Sequence, residues 1–557
     1  MTAEIGELSV QQYLALAACA SRGEKNALLD RAIALHGSRQ SAIASARRFA
    51  NLIEHFARRF GHQRAICLYE APGRVNLMGM HIDHRGGICN PMATRERICA
   101  VCSRRSDDLF CAHSMNSGFA EGQFRLAERL PPRPLRSLGE WLTWSEIEAA
   151  TSYGGKHFIN YFACGPVYLA CFHYAWGQSF AGADFVFDSD LPPSAGMSSS
   201  SALVVLATDF FLRSNPQGLP SLSIHQLLDV YGNGEWYIGT RGGKGDHAAI
   251  KLCQRGVIQP LATTPDLRIL RPAPIPQGYD FFLYTSGDEA NKSVEPFRTA
   301  FNTPVMSYEA CEMTLTSALW QQSSAVLDEL RAARATMDAK HHRIYLGDVV
   351  NYEIFSEAEI YRFLRRLPRI MTRAEIVARF PEHAAAIQAG MQHASEPEGG
   401  YHVRDVAAFG FGECVRARDA GPLLAAGDVR GFAAMMNVSQ LGDRVSDVPD
   451  AASRRVKFLD DDALSMMEEQ GFPLREIAGD FRVSTENIDR LVAICLSCPD
   501  VLGARLSGAG LGGAVIVLGR EGFSEALDPI LERNYYEPLR KEFRKIRILP
   551  SRGAGFY

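Results

Sequence analysis

Pro193-Ser194-Ala195-Gly196-Met197-Ser198-Ser199-Ser200-Ser201-Ala202 runs small residues straight into an apolar segment that reads as a helix from Ser200 to Leu212. Backbone N–H groups at a helix start have no intrahelical partner, and the helix dipole favours an anion there. Small side chains let a phosphate approach the backbone, and hydroxyls can reach a Mg²⁺ bound to it. The plain alternative is a serine-rich cap on a buried helix. Upstream, Ala183–Leu191 reads as a strand that ends in Pro192-Pro193. The stretch is therefore a strand, a loop and a helix, a frame that a phosphate site and a plain capped helix share equally.

A second segment is Arg505-Leu506-Ser507-Gly508-Ala509-Gly510-Leu511-Gly512-Gly513-Ala514. It holds a formal G-x-G-x-x-G, but a dinucleotide fold needs a helix after the glycines. Here Ala514-Val515-Ile516-Val517-Leu518 follows, which is a strand pattern. A tight glycine loop between strands, beside a ligand or another loop, fits better than the dinucleotide motif. A hairpin with no ligand is the plainer reading of the segment alone.

The third segment is Gly73-Arg74-Val75-Asn76-Leu77-Met78-Gly79-Met80-His81-Ile82-Asp83-His84-Arg85-Gly86-Gly87. Its density of polar groups beside paired glycines suits a small polyhydroxylated ligand. Metal binding by His81, Asp83 and His84 is less favoured, because adjacent strand residues alternate faces. A polar surface loop is the alternative. The fourth, Glu235 to His247, sets Asp246 in a glycine-rich turn ahead of a helix at Ala248–Leu252. Asp246 could take or orient a hydroxyl proton, or simply cap that helix. The G-x-x-x-x-G-K-[S/T] loop is absent.

The rest bounds the protein. At 557 residues, two or three domains are expected. Apolar residues make up 46%, enough for a real core, so a disordered chain is excluded. The net charge of −4 argues against a nucleic-acid binder. The best apolar run, Ala202–Phe211, is broken by Asp209, so no membrane span is expected. No secretory leader is visible. Thirteen scattered cysteines fit reduced thiols in a cytoplasmic protein. Cys99/Cys102 and Cys495/Cys498 form two C-x-x-C pairs in apolar runs, which read as buried thiols before they read as zinc ligands.

Periodicity predicts helices at Gln11–Ala20 and Ala42–Phe60, and strands at Ala65–Leu68, Val75–Met78, Ile98–Cys102 and Phe281–Tyr284. Ala71-Pro72-Gly73 reads as a turn. A long, mostly helical region follows, with a capping box at Thr372–Glu375, and strands return around Leu506, Ala514–Leu518 and Ile546–Leu549. Mixed strands and helices in two halves give an α/β or α+β class.

Taken together, three of these segments resemble the three signature motifs of the GHMP small-molecule kinases, most closely the galactokinase branch. Pro72–Gly87 is similar to the galactokinase signature, Pro193–Ala202 to the phosphate loop and Ala504–Gly513 to the third motif. The resemblance implies an α+β, two-domain GHMP kinase fold over roughly 61–557. Its N-terminal domain (61–285) would be of the ribosomal-S5 type and its C-terminal domain (286–557) ferredoxin-like. A helical extension (1–60) and a helical insertion (about 310–480) would be added. It implies ATP and Mg²⁺ as cofactors and transfer of the γ-phosphoryl group to a sugar hydroxyl, by family habit at C1.

Carried over residue by residue, Ser194, Ala195, Gly196, Met197, Ser198, Ser199, Ser200 and Ser201 would cradle the ATP phosphates. Ser200 and Glu235 would hold Mg²⁺; the eleven-residue offset from Glu235 to Asp246 suits the mevalonate-kinase pattern. Asp246 would be the catalytic carboxylate, and Arg74 would stabilise the developing charge and orient the sugar. His81, Asp83 and Gly243 would contact sugar hydroxyls. Gly508, Gly510, Gly512 and Gly513 would form the third-motif loop.

Two substrate positions depart from the galactokinase pattern: Met80 replaces Glu, and His84 replaces Tyr. Loss of an anion at Met80, with Arg85, Arg241 and Lys244 nearby, leads to the expectation of a hexuronic acid such as galacturonate. Galactose is the alternative. So is a sugar- and ATP-binding sensor that uses the extra helices as partner surfaces. A small-molecule sugar is the expected partner, with neither nucleic acid nor membrane; oligomeric state stays open.

Overall fold

The computed structural model describes residues 4–116, 121–151, 158–192, 196–218, 221–239, 242–288, 297–335, 342–384, 387 and 396–557. Its strands are β1 (Leu8–Ser9), β2 (Ala65–Asn76), β3 (Pro91–Arg104), β4 (Leu109–Ser114), β5 (Gly122–Arg125), β6 (Ala183–Ser189), β7 (Tyr279–Thr285), β8 (Val501–Ser507), β9 (Ala514–Arg520), β10 (Lys545–Arg547) and β11 (Gly555–Phe556), beside four two-residue strands between Val257 and Pro274. The first sheet has the order β1-β2-β3-β6-β4-β5, with β11 added to β2.

One face of this sheet packs on the helices Ile159–Phe172 and Ser199–Ser214. The other face is covered by the N-terminal helices Val10–Ser21, Ala27–His36 and Arg39–Phe60. In the last of these, Ala42, Ala46, Phe49, Ile53 and Phe56 recur at four- and three-residue steps and are buried. They meet Ile66 and Leu68 of β2, Cys99 and Val101 of β3 and Val186 of β6. That stripe is what an amphipathic helix lays on a core. Each large side chain so buried contributes about 1.5–3 kcal/mol. The extension is thus the second covering layer of the sheet, with a further helix, Ala27–His36, between the two that periodicity delimits.

The second sheet is β8-β9-β7-β10, all antiparallel. Chain order is β, helices, β, β, helix, β, the ferredoxin-like pattern. Its first crossover is long: helices run from Phe297–Leu319 through Val403–Ala425 and Val429–Asp443 to Glu486–Leu496. Thr372 and Glu375 form the expected capping box.

Two expectations need correction. Ala71-Pro72-Gly73 is no turn, because β2 runs unbroken through it. The partner strand absorbs the strain: Pro72 pairs with Arg97 and Arg74 with Ala93, so β3 carries extra residues opposite Gly73. Proline is tolerated in a strand at such an irregularity. Asp246 is no helix cap, since the helix starts at Gly245 with Lys244 as its cap residue. The C-x-x-C cysteines are all buried free thiols, and no metal-binding group of three or more His, Cys, Asp or Glu occurs among the described residues.

Candidate active site

Arg74, near the end of β2, lies against the phosphate loop. Its Nε and Nη2 each donate to an Asp246 oxygen at 2.6 Å, and its Nη1 donates to the Gly196 carbonyl at 2.6 Å. Its backbone N–H donates to the Met197 carbonyl. Gly73 makes this approach possible, because a Cβ there would stand 2.5 Å from Leu191 and 3.0 Å from the Met197 carbonyl. Paired N–H donation from a guanidinium fixes the orientation of a carboxylate.

Ser198 completes the group. It is the cap residue of the helix, has φ 56, in the left-handed region, and its side chain makes no capping bond. Its Oγ donates instead to Asp246 at 2.5 Å. Such a backbone costs a non-glycine residue about 1–3 kcal/mol and clusters at functional sites. Ser199, Ser200 and Ser201 form the first turn of the following helix. Ser201 Oγ donates to Glu235 at 3.0 Å, and His247 Nε2 lies 2.8 Å from the same oxygen. Burial pushes the Glu235 carboxyl up, but His247 and Ser201 outweigh it and hold it below the ordinary value. Ser194 and Ala195 lie outside the described residues.

The third motif closes this site from the other domain. The loop joins β8 to β9, and Gly508, Gly510, Gly512 and Gly513 all have positive φ. A Cβ on Gly196 would stand 2.7 Å from the Ser507 carbonyl, and one on Gly508 would stand 3.1 Å from Gly196 Cα. Phosphate loop and third motif therefore touch backbone to backbone. An open cavity of about 530 Å³ adjoins the loop, lined by Ser189–Pro192 from the first domain and Phe543–Ile546 from the second.

The sugar-motif residues form a second shelf. Asp83 Oδ2 accepts from the Gly245 N–H at 3.3 Å, and a Cβ on Gly243 would stand 2.1 Å from that oxygen. His84 Nδ1 lies 3.1 Å from the other oxygen. Burial raises the Asp83 carboxyl, but His84 and the Gly245 N–H outweigh it. Burial and the Arg85 charge push His84 down, towards the neutral ring. His81, at φ 60, stacks on Phe481 with centroids 4.5 Å apart and lies 3.4 Å from Asp443.

Met80 is 4% exposed. Its N–H and that of Gly79 donate to Glu413 Oε1 at 2.9 Å each. Glu413 also accepts from Arg416 at 2.8 Å and Arg505 at 3.4 Å. Burial opposes its charge, yet the two guanidiniums hold it at about 2. Sequence reasoning missed Glu413, Asp443 and Phe481, which lie more than 300 residues from the motif and carry no local signal.

Two members of the expected carboxylate-binding cluster are committed elsewhere. Arg85 donates to Glu309 at 2.9 Å and Glu312 at 2.8 Å, and is buried. Lys244 pairs with Asp229. Arg241 lies outside the described residues.

With this geometry in view, the comparisons are consistent. The family models described as galactokinase galactose-binding signature, GHMP kinases N-terminal domain and GHMP kinases C-terminal match residues 54–104, 160–254 and 461–536, in that order. By these three matched segments the chain resembles the GHMP kinase superfamily. Within it, a galactokinase of Candida parapsilosis is 26% identical over 223 residues, 40% of this chain and 40% of that protein. A galactokinase of Streptomyces coelicolor is 26% identical over 189 residues, 34% of this chain and 42% of that protein. The chain thus spans about two fifths of the length of these relatives. The crystal structure of Lactococcus lactis galactokinase complexed with galactose superimposes with a TM-score of 0.60 at 18% identity, covering 91% of this chain and 99% of that one. The two share a fold.

Proposed function

We propose that this chain is an ATP- and Mg²⁺-dependent sugar kinase of the galactokinase type that phosphorylates a galactose-like hexose, by family analogy at the C1 hydroxyl. The observation that carries the reading is the Arg74–Asp246–Ser198 group, set where the phosphate loop meets the third motif. Phosphoryl transfer is mostly positioning and charge neutralisation, which this group is built to supply.

The residues present fit the cofactors. Gly196 and Gly508 leave room only for backbone along the loop, and the first-turn amides of Ser199–Ser201 point out of the helix start. Mg²⁺ prefers one or two carboxylates plus phosphate oxygens, and Glu235 and Ser200 are the residues that would hold it. When bound, ATP supplies the transferred group and Mg²⁺ offsets its charge. The cavity between Leu191 and Phe543 suits the nucleoside. Asp246 accepts or orients the proton of the sugar hydroxyl. Arg74 holds Asp246 in place and faces the charge that develops. Asp83, steadied by His84 and Gly245, and His81 bind sugar hydroxyls.

Galactose is preferred over galacturonate. Arg85 and Lys244 already have acidic partners, and the anionic Glu413 stands behind Met80. The relatives' names point the same way. The test is ADP release with Mg-ATP against galactose, galacturonate, glucuronate, arabinose and a no-sugar control. Turnover of galactose above all others supports the reading. Turnover confined to a uronic acid refutes the substrate, and tight binding without turnover refutes the enzyme in favour of a sensor.

A further inference from the structure

Asp209 lies eight residues beyond Ser201 in the phosphate-loop helix, roughly 12 Å along its axis. It is 7% exposed. Tyr69 and Tyr231 donate their hydroxyls to its two oxygens, and Lys251 pairs with it. Burial and the Asp209 charge push both phenols well above their ordinary range, so both remain donors.

The three partners come from three elements, and each element carries a residue of the site. Tyr69 lies on β2, five residues before Arg74. Tyr231 lies in Ile224–Glu235, one helical turn before Glu235. Lys251 lies in Gly245–Leu252, five residues after Asp246. Asp209 itself lies in the helix that begins with Ser199–Ser201. A second link runs alongside, since the Tyr231 ring stacks on His247 with centroids 6.2 Å apart, and His247 holds Glu235. A carboxylate on the buried face of a helix is costly to desolvate unless it gains such partners. This one joins the four segments that carry Arg74, Ser198, Glu235 and Asp246.

We propose that Asp209 is a positioning residue that locks β2 and the three helices in one register, so that Arg74, Ser198, Glu235 and Asp246 are preset for transfer. A misplacement of about 1 Å can cost on the order of 10²-fold in rate. The kinetic part rests on the sugar-kinase reading; the register itself does not.

The experiment compares Asp209→Asn with Asp184→Asn. Asp184 is also buried and paired, with Arg64 at 2.8 Å and Arg105 at 2.9 Å, but at the start of β6, away from the site. Thermal midpoint, kcat, the KM for ATP and for sugar, and amide hydrogen exchange are measured for each. Asp209→Asn should lower kcat at least tenfold with both KM values within about threefold. It should speed exchange in Gly245–Leu252 and in the first turn of Ser199–Ser214. Asp184→Asn should lower the midpoint while holding kcat within about twofold. Asp209→Glu should recover part of the lost rate. Equal kcat in the two Asn variants, or unchanged exchange in both segments of Asp209→Asn, overturns the proposal. Should Asp209→Asn fail to fold, Tyr231→Phe, which removes one link, should move kcat and exchange in the same direction, and no change overturns it. If the wild type turns over no sugar, the kinase reading falls and the exchange data alone decide on Asp209.

Discussion

Arg74 and Asp246, 172 residues apart in the chain, face each other through two parallel N–H···O bonds of 2.6 Å. The Arg74 side chain is 6% exposed and Asp246 is 36% exposed, so the fork is anchored on its protein side and open on the other. Lysine cannot reproduce that fork. Arg74→Lys should lower kcat by about 10²-fold, and Asp246→Asn by about 10²–10⁴-fold, the range of a lost acid–base group. Steady-state ADP release checks both, with sugar binding measured by calorimetry. Wild-type turnover in Asp246→Asn would remove the carboxylate from the chemistry.

Gly196 has φ 69, and a Cβ there would meet the Ser507 carbonyl at 2.7 Å. Backbone on both sides cannot give way as a side-chain tip would. Gly196→Ala should therefore open the seam between phosphate loop and third motif. The KM for ATP should rise at least tenfold while the thermal midpoint moves by only a few degrees. An unchanged KM would mean that the seam does not shape the nucleotide site.

The strand, loop and helix around Gly196–Ser201 were legible because periodicity and small-residue composition are local signals. So was the rejection of a dinucleotide motif, since β9 follows Gly513 as a strand. The break expected at Pro72 was misread: the compensation sits in the partner strand between Ala93 and Arg97, where no single-strand pattern can reveal it. Arg85 read as a free cation because Glu309 and Glu312, more than 220 residues away, reach it only in the fold. Glu413 stayed invisible for the same reason. Ionic pairing across long sequence separations leaves no periodic trace.

Arg85 bears on the choice between the two proposed sugars. It and Arg343 neutralise Glu309 and Glu312 where the helix Phe297–Leu319 meets the sugar motif. Burial still pushes Glu312 up to about 7. Removing one partner of a buried ion pair costs about 3–5 kcal/mol. Arg85→Met should thus lower the thermal midpoint by several degrees and raise the KM for sugar. It should leave the preference between galactose and galacturonate where it was. Specific loss of galacturonate turnover in this variant would return Arg85 to the role of a substrate-carboxylate partner.

Glu413 gives the pH dependence its sign. Its carboxyl stands at about 2 in the fold against 4.5 ordinarily, so the folded state binds the proton less readily than the unfolded state. Stability from this group is complete above the ordinary value and is lost as pH falls towards about 2. The difference amounts to on the order of 3 kcal/mol. Glu413→Gln keeps an acceptor for the Gly79 and Met80 amides but leaves Arg416 and Arg505 without their counter-charge. The variant should be less stable at pH 7, and its thermal midpoint should fall less steeply than the wild type's as pH is lowered from about 5 to 3. Calorimetric midpoints across that range check the slope. Parallel slopes would mean that other carboxylates set the acid limit and that Glu413 is not held ionised by its two arginines.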